Sequence, residues 1–173
     1  MIRLEPLTGH HDRSHFACGV AALDVWLRQT ALQHQGKGVS RSFVAVPADA
    51  ASVRVHATGS LLGAASTTIL GYYALASAHV ALTELPREAA KRYPRLVPVT
   101  RLGRLAIRTE LQGQGLGRLL LADAVQRARA AALDVGSAGL FVDAKDAGGA
   151  SFYQRYGFRP GIERPLQLFL PFW

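Results

Sequence analysis

Cysteine is nearly missing from this chain. Cys18 is the single one in 173 residues, so no internal disulfide can form and no cysteine cluster can hold a structural zinc. Long apolar runs are missing too: no stretch approaches the roughly 20 uncharged apolar residues that a membrane helix requires. Met1 to Pro6 reads as a strand rather than as a basic-then-apolar leader, so the expected setting is cytoplasmic, with no membrane partner. Acids are scarce, 12 against 20 bases, giving a net charge of +8. Such an excess attracts polyanions, although arginine-rich, Ala-, Gly- and Leu-rich composition also follows from a GC-rich genome. With 49% hydrophobic and 18% charged residues the chain is too apolar for disorder, and its length predicts one domain over residues 1–173.

Ile2 to Leu7 predicts a first strand, with Pro6 suited to an edge. Val20, Leu23, Leu27 and Ala31 recur at three and four residues, with Trp26 beside the stripe and Gly36 and Gly38 closing it, the pattern of an amphipathic helix. Ser42 to Val46 predicts a strand stopped by Pro47, and residues 48–68 lack a period and read as a hairpin or surface insertion. A long aromatic strand is expected over Ile69 to Val80, a short basic helix over Leu85 to Leu96, and a strand over Val99 to Ile107. Leu116, Leu119, Leu120, Ala124 and Ala128 mark a helix to about Leu133. Gly139 to Val142 predicts a buried strand, Ala150 to Tyr156 a helix ended by Gly157, and Leu166 to Phe172 a last strand. This alternation implies an α/β fold around a mixed sheet.

The informative segment is Gln112-Gly113-Gln114-Gly115-Leu116-Gly117-Arg118, between a predicted strand and the best predicted helix. Glycines let main-chain N–H groups converge on one point, and the helix N-terminus adds partial positive charge, so the segment can cradle a pyrophosphate. A P-loop needs Lys and a hydroxyl residue after its last glycine, whereas Arg118 and Leu119 follow Gly117. The dinucleotide fingerprint fails as well, since from Gly113 its third glycine falls on Arg118.

The spacing that does match is Q-x-x-G-x-G, at Gln112, Gly115 and Gly117, which resembles the acyl-CoA pyrophosphate loop of the GNAT N-acetyltransferases. Downstream, Phe152-Tyr153-Gln154-Arg155-Tyr156-Gly157-Phe158 resembles the F-Y-x-x-x-G-F segment of the same family. Asp146, where Asn is common, and Gly149, where Ala is common, depart from it. Phe16 to Val20, Leu23 to Leu27, Ser40 to Val44, Gly71 to Leu75 and Leu102 to Ile107 narrow the likeness to the GNAT toxins of bacterial toxin–antitoxin pairs, over nearly the whole chain. The resemblance implies a GNAT fold, a twisted mixed sheet with helices on both faces. It implies acetyl transfer from acetyl-CoA, without a metal, to the α-amino group of aminoacyl-tRNA, which blocks translation. A ribbon-helix-helix antitoxin and a homodimer come with it. Cofactor contacts are then expected from Leu105, Ala106, Ile107, Gln112, Gly113, Gln114, Gly115, Leu116, Gly117, Arg118, Phe152 and Tyr156, and general-acid chemistry from Tyr153.

The chemistry can be weighed against that expectation. A lysine amine, with a reference pKa of about 10.4, needs a base at neutral pH, but an α-amine near roughly 7.7–8.0 does not. Gly103 to Ile107 offers Arg104 and no carboxylate; Glu110, just beyond, is a weak candidate base. Arg87, Lys91, Arg92, Arg95, Arg101 and Arg104 form a basic stretch suited to tRNA phosphates, the alternative being a solvated helix with a Glu88–Arg92 pair. His10, His11, Asp12 and His15 lack a third ligand set and read as surface residues; Cys18 reads as a small buried residue. Two other classes remain open at this point, a free-standing acetyltransferase of small-molecule or protein amines and a non-catalytic acyl-CoA sensor.

Overall fold

In the computed structural model residues 2–49 and 65–173 are described. Of the expected hairpin or insertion over 48–68, residues 50–64 lie outside the described residues. Seven strands, β1 (Ile2–Pro6), β2 (Arg41–Pro47), β3 (Gly71–Ala81), β4 (Leu96–Ile107), β5 (Gly139–Asp143), β6 (Arg159–Pro160) and β7 (Gln167–Pro171), hydrogen-bond in the order β1-β2-β3-β4-β5-β7-β6. β4 and β5 run parallel, with Thr100 opposite Leu140, while β1/β2, β5/β7 and β6/β7 are antiparallel. The sheet is therefore mixed, as the alternation of elements implied. Helices are α1 (Ala21–Gln29), α2 (Ala31–Gly36), α3 (Arg87–Ala90), α4 (Leu116–Ala132) and α5 (Ala147–Arg155). The chain groups into two compact units, Met1–Ala74 with Arg104–Ala124 and Leu75–Gly103 with Val125–Trp173.

In the first unit, the predicted stripe closes the core. Trp26 and Leu27 are buried on α1, Val20 and Leu23 pack alongside, and Phe16, Val44, Val46, Ile69 and Tyr72 complete the cluster. Leu27 is fully buried, and its truncation to Ala would cost about 2–5 kcal/mol through lost transfer energy and the cavity left behind. Tyr72 carries a polar atom into this core, and its hydroxyl donates to Leu23 O at 2.8 Å. The predicted single helix is broken at Thr30, whose backbone leaves the helical region at φ −120° and ψ −35°. One expectation fails here: His11 is buried, not on the surface. Its Nδ1 accepts from Thr8 N at 3.0 Å and its Nε2 lies 2.7 Å from Glu5 Oε1, so both ring nitrogens are satisfied inside a polar clasp.

In the second unit Phe141 and Phe169 are fully buried with Val80, Leu85, Val97 and Val99. The expected helix over Leu85–Leu96 shrinks to α3, and β4 begins at Leu96, earlier than expected. The cause is legible in burial, since Val97 and Val99 face the core while Pro98 between them does not, a period of two that only a strand provides. Helix α5 starts earlier than its apolar pattern predicts, because Asp146 caps it: Oδ1 accepts from Gly149 N at 2.8 Å. Replacing that cap with Ala would cost about 1 kcal/mol. The two-residue strand β6 has no sequence pattern long enough to announce it.

Candidate active site

The first unit holds the end of β4, the glycine turn and the start of α4. Leu105 and Ile107 are half-buried and Ala106 is buried. Beyond them the chain is fastened at each step: Arg108 N donates to Leu70 O at 2.9 Å, Arg108 Nη1 to Ile69 O at 3.3 Å, and Thr109 N and Oγ1 both to Ala17 O. Gln112 Nε2 donates to Cys18 O at 2.8 Å and to Ile107 O at 3.0 Å. Gln114 Nε2 donates to Glu110 O at 3.3 Å. The two glutamines therefore hold the turn in shape with their amide groups, and the donors that face outward are main-chain.

Gly113 and Gly115 have φ of +76° and +87°, and a Cβ at either would meet no protein atom within 4 Å. Their requirement for glycine is thus conformational, since the left-handed region disfavours any side chain. Bare backbone then leads into α4, whose first N–H groups have no intrahelical acceptor. Arg118, exposed in the first turn, adds a full positive charge. This combination suits a diphosphate. Glu110 is exposed, and its Oε2 lies 3.3 Å from Arg108 Nε, which ties the one acid near the end of β4 to a cation.

Beside this turn Arg104 sits half-buried on β4, its guanidinium carbon 4.1 Å from the centre of the Trp26 ring. Trp26 in turn stacks on Tyr72, 6.1 Å between centroids and 8° between planes. Burial lowers the pKa of Arg104 and raises that of Tyr72 and of the Cys18 thiol. Among the described residues Arg104 has no hydrogen-bond or ion-pair partner. The sequence placed Trp26 only beside an apolar stripe; a lone Arg on a strand gives no sign that an aromatic from a helix lies beneath it.

In the second unit, α5 carries Phe152, Tyr153 and Tyr156. Tyr153 is buried between Phe152 and Phe158, at 5.2 and 5.4 Å between ring centroids. Burial pushes its hydroxyl up to about 12, so it is a phenol at neutral pH, and it bonds to no described residue. Phe152 is half-buried and Tyr156 exposed. Of the basic stretch, Arg87, Lys91, Arg92 and Arg95 are exposed. Arg101 differs from them, lying 3.3 Å from Asp143 and over the Phe141 ring. Glu88 pairs with Arg159 at 3.5 Å rather than with Arg92. Among the described residues no three His, Cys, Asp or Glu gather as a metal would need, and no helix is long and apolar enough to cross a membrane.

Residues 58–160 match the family described as acetyltransferase (GNAT) domain. A tRNA-acetylating toxin of Mycobacterium tuberculosis is 33% identical over 159 residues, spanning 92% of this chain and 85% of its own. The structure of AtaT complexed with acetyl-methionyl-tRNAfMet superposes with a TM-score of 0.82 at 30% identity, covering 99% of this chain and 95% of that one. A tyrosine-to-phenylalanine mutant of AtaT, bound to the C-terminus of the antitoxin AtaR and to acetyl-CoA, superposes with a TM-score of 0.75 at 28% identity, over 99% and 93% of the two chains.

Proposed function

The chain belongs to the GNAT acetyltransferases, and from that premise we propose that it is a toxin that moves acetyl from acetyl-CoA to the α-amino group of an aminoacyl-tRNA and so blocks translation. The observation that carries the acceptor is the strand itself. Gly103 to Ile107 holds no carboxylate, and Glu110 beyond it is paired with Arg108. A lysine amine near pKa ~10.4 would arrive protonated, whereas an α-amine near ~7.7–8.0, lowered further by an ester, arrives largely neutral. The likeness to toxins that acetylate tRNA or are bound to acetylated tRNA supports the same acceptor.

Acetyl-CoA supplies the acetyl group as a thioester. For its diphosphate, main-chain N–H groups of Gly113, Gln114, Gly115, Leu116, Gly117 and Arg118 fit, while Gln112, whose own N–H donates to Thr109 O, serves the site by bracing the turn with its side-chain amide. Backbone groups of Leu105, Ala106 and Ile107 are suited to pair with the pantetheine arm and polarise the carbonyl, and Phe152 and Tyr156 to flank it. The acceptor nitrogen sheds a proton as the C–N bond forms, and sulfur needs one as the C–S bond breaks. Tyr153 is the general acid in this reading. Being a weaker acid than a thiol, it gives its proton only as negative charge develops on sulfur and regains one from the nitrogen side. Arg87, Lys91, Arg92, Arg95 and Arg101 supply cations for tRNA phosphates. A ribbon-helix-helix antitoxin, a homodimer and a cytoplasmic location complete the proposal; AtaT bound to AtaR supports the antitoxin.

The test is acetylation of total charged tRNA with labelled acetyl-CoA, followed by identification of the modified amino acid. The parent should label α-amines, and Tyr153→Phe, which keeps the ring packing, should lose about 10²–10⁴ in rate while binding acetyl-CoA as before and no longer arresting growth. A parent that leaves charged tRNA unlabelled would overturn the reading.

A further inference from the structure

Most cations of this chain that are partly removed from water have an acceptor. Arg13 reaches the Arg28 carbonyl, Arg101 Asp143, and Arg108 both Glu110 and the Ile69 carbonyl. Arg104 has none among the described residues. It is half-buried, and burial works against its charge while the nearby Tyr72 hydroxyl partly offsets that cost; the Trp26 face lies at 4.1 Å. Desolvating a cation without pairing it is unfavourable, and a fold keeps such a group where the charge acts on a ligand.

No described carboxylate lies within ion-pair distance of its guanidinium. From α1, Asp24 is the nearby acid, and its Oδ1 accepts from Cys18 N at 3.0 Å. Cys18 and Tyr72 are raised by burial and stay uncharged at neutral pH. His34 of α2 packs T-shaped against Trp26, 5.9 Å between ring centroids. Arg104 also immediately precedes Leu105 on β4.

We propose that Arg104 is a specificity-determining residue for the acceptor: its unpaired guanidinium, held over the face of Trp26, admits the attacking nitrogen as a neutral amine and disfavours the ammonium. A fixed positive charge within about 4–6 Å lowers the pKa of an amine by about 1–3 units. The ammonium therefore releases its proton to bulk water as the acceptor docks, and no carboxylate on the strand is needed to remove it. The same field acts against a lysine side chain, which starts some 2.5 units higher on reference values of about 10.4 and 7.9. This inference rests on the aminoacyl-tRNA reading and assigns Arg104 a task different from the phosphate contacts of the basic stretch.

The test is the pH dependence of acetylation of charged tRNA by the parent, Arg104→Gln and Arg104→Lys, each repeated in a His34→Gln background so that no imidazole packs on Trp26. The acid limb of kcat reports the bound complex, and that of kcat/KM the free reactants. In the parent the kcat limb should lie below the kcat/KM limb. In Arg104→Gln it should move up by about one pH unit while the kcat/KM limb stays, and Arg104→Lys should restore most of the gap. Should Arg104→Gln fail to fold, Arg104→Met, which keeps an aliphatic cover on Trp26, carries the same readout. A parent and variant with coincident kcat limbs, or a variant altered only in KM, would overturn the inference and make Arg104 a phosphate contact. A parent inert on charged tRNA would overturn the acceptor reading and this inference together.

Discussion

The glycine turn at 108–118 and the basic stretch at 87–95 present opposite kinds of surface to an anionic group. In the turn, side chains are engaged in holding the backbone: Thr109 to Ala17, Gln112 to Cys18 and Ile107, Gln114 to Glu110. What it offers a ligand is main-chain N–H at fixed positions. The basic stretch has a four-residue helix and exposed side chains, and offers charge on flexible stems. The first can recognise one shape, while the second can follow any phosphate backbone.

Gly115→Val should widen this contrast most. A β-branched residue at φ +87° is strained by about 1–2 kcal/mol or more, so acetyl-CoA affinity should fall at least about tenfold by calorimetry, and thermal stability by about 2–8 °C. Unchanged affinity would show that the turn tolerates reshaping. Next comes Gln112→Ala, which removes two hydrogen bonds of about 0.5–1.5 kcal/mol each; a few-fold loss of acetyl-CoA affinity is expected, with tRNA affinity unmoved. Smallest of all, Arg92→Ala or Arg95→Ala should weaken tRNA binding by no more than about threefold, while reducing the slope of log affinity against log salt by about one per lost contact. Complete loss of tRNA binding from either would make the stretch a built site and erase the distinction.

What the sequence disclosed divides along the same line. The turn was legible because its backbone admits few residues: glycines at left-handed positions and a glutamine before them leave a spaced signature. α4 and Tyr153 on α5 were legible through long periodicity and a matching segment. The α3 region was misread, because Arg87 to Arg95 has helical composition while burial of Val97 and Val99 draws the chain into β4. His11 was misread because its partners, Glu5 and Thr8, form a clasp that only the folded loop assembles. Trp26 beneath Arg104 was invisible for a related reason: the two are 78 positions apart in the sequence, and no periodicity links a helix residue to a strand residue.

The clamp around Cys18 couples these parts mechanically. Its amide donates to Asp24 on α1 and its carbonyl accepts from Gln112 in the turn, so one residue joins the helix that bears Trp26 to the glycine turn proposed as the cradle. Thermodynamic reciprocity then follows: if a ligand on the cradle tightens this joint and so steadies Arg104 on Trp26, a ligand at Arg104 must raise affinity at the cradle by the same factor. Cys18→Ala leaves both backbone bonds in place, whereas Asp24→Ala cuts the thread at one end. Comparing acetyl-CoA affinity with and without charged tRNA in these two variants would weigh the joint as an energy of communication.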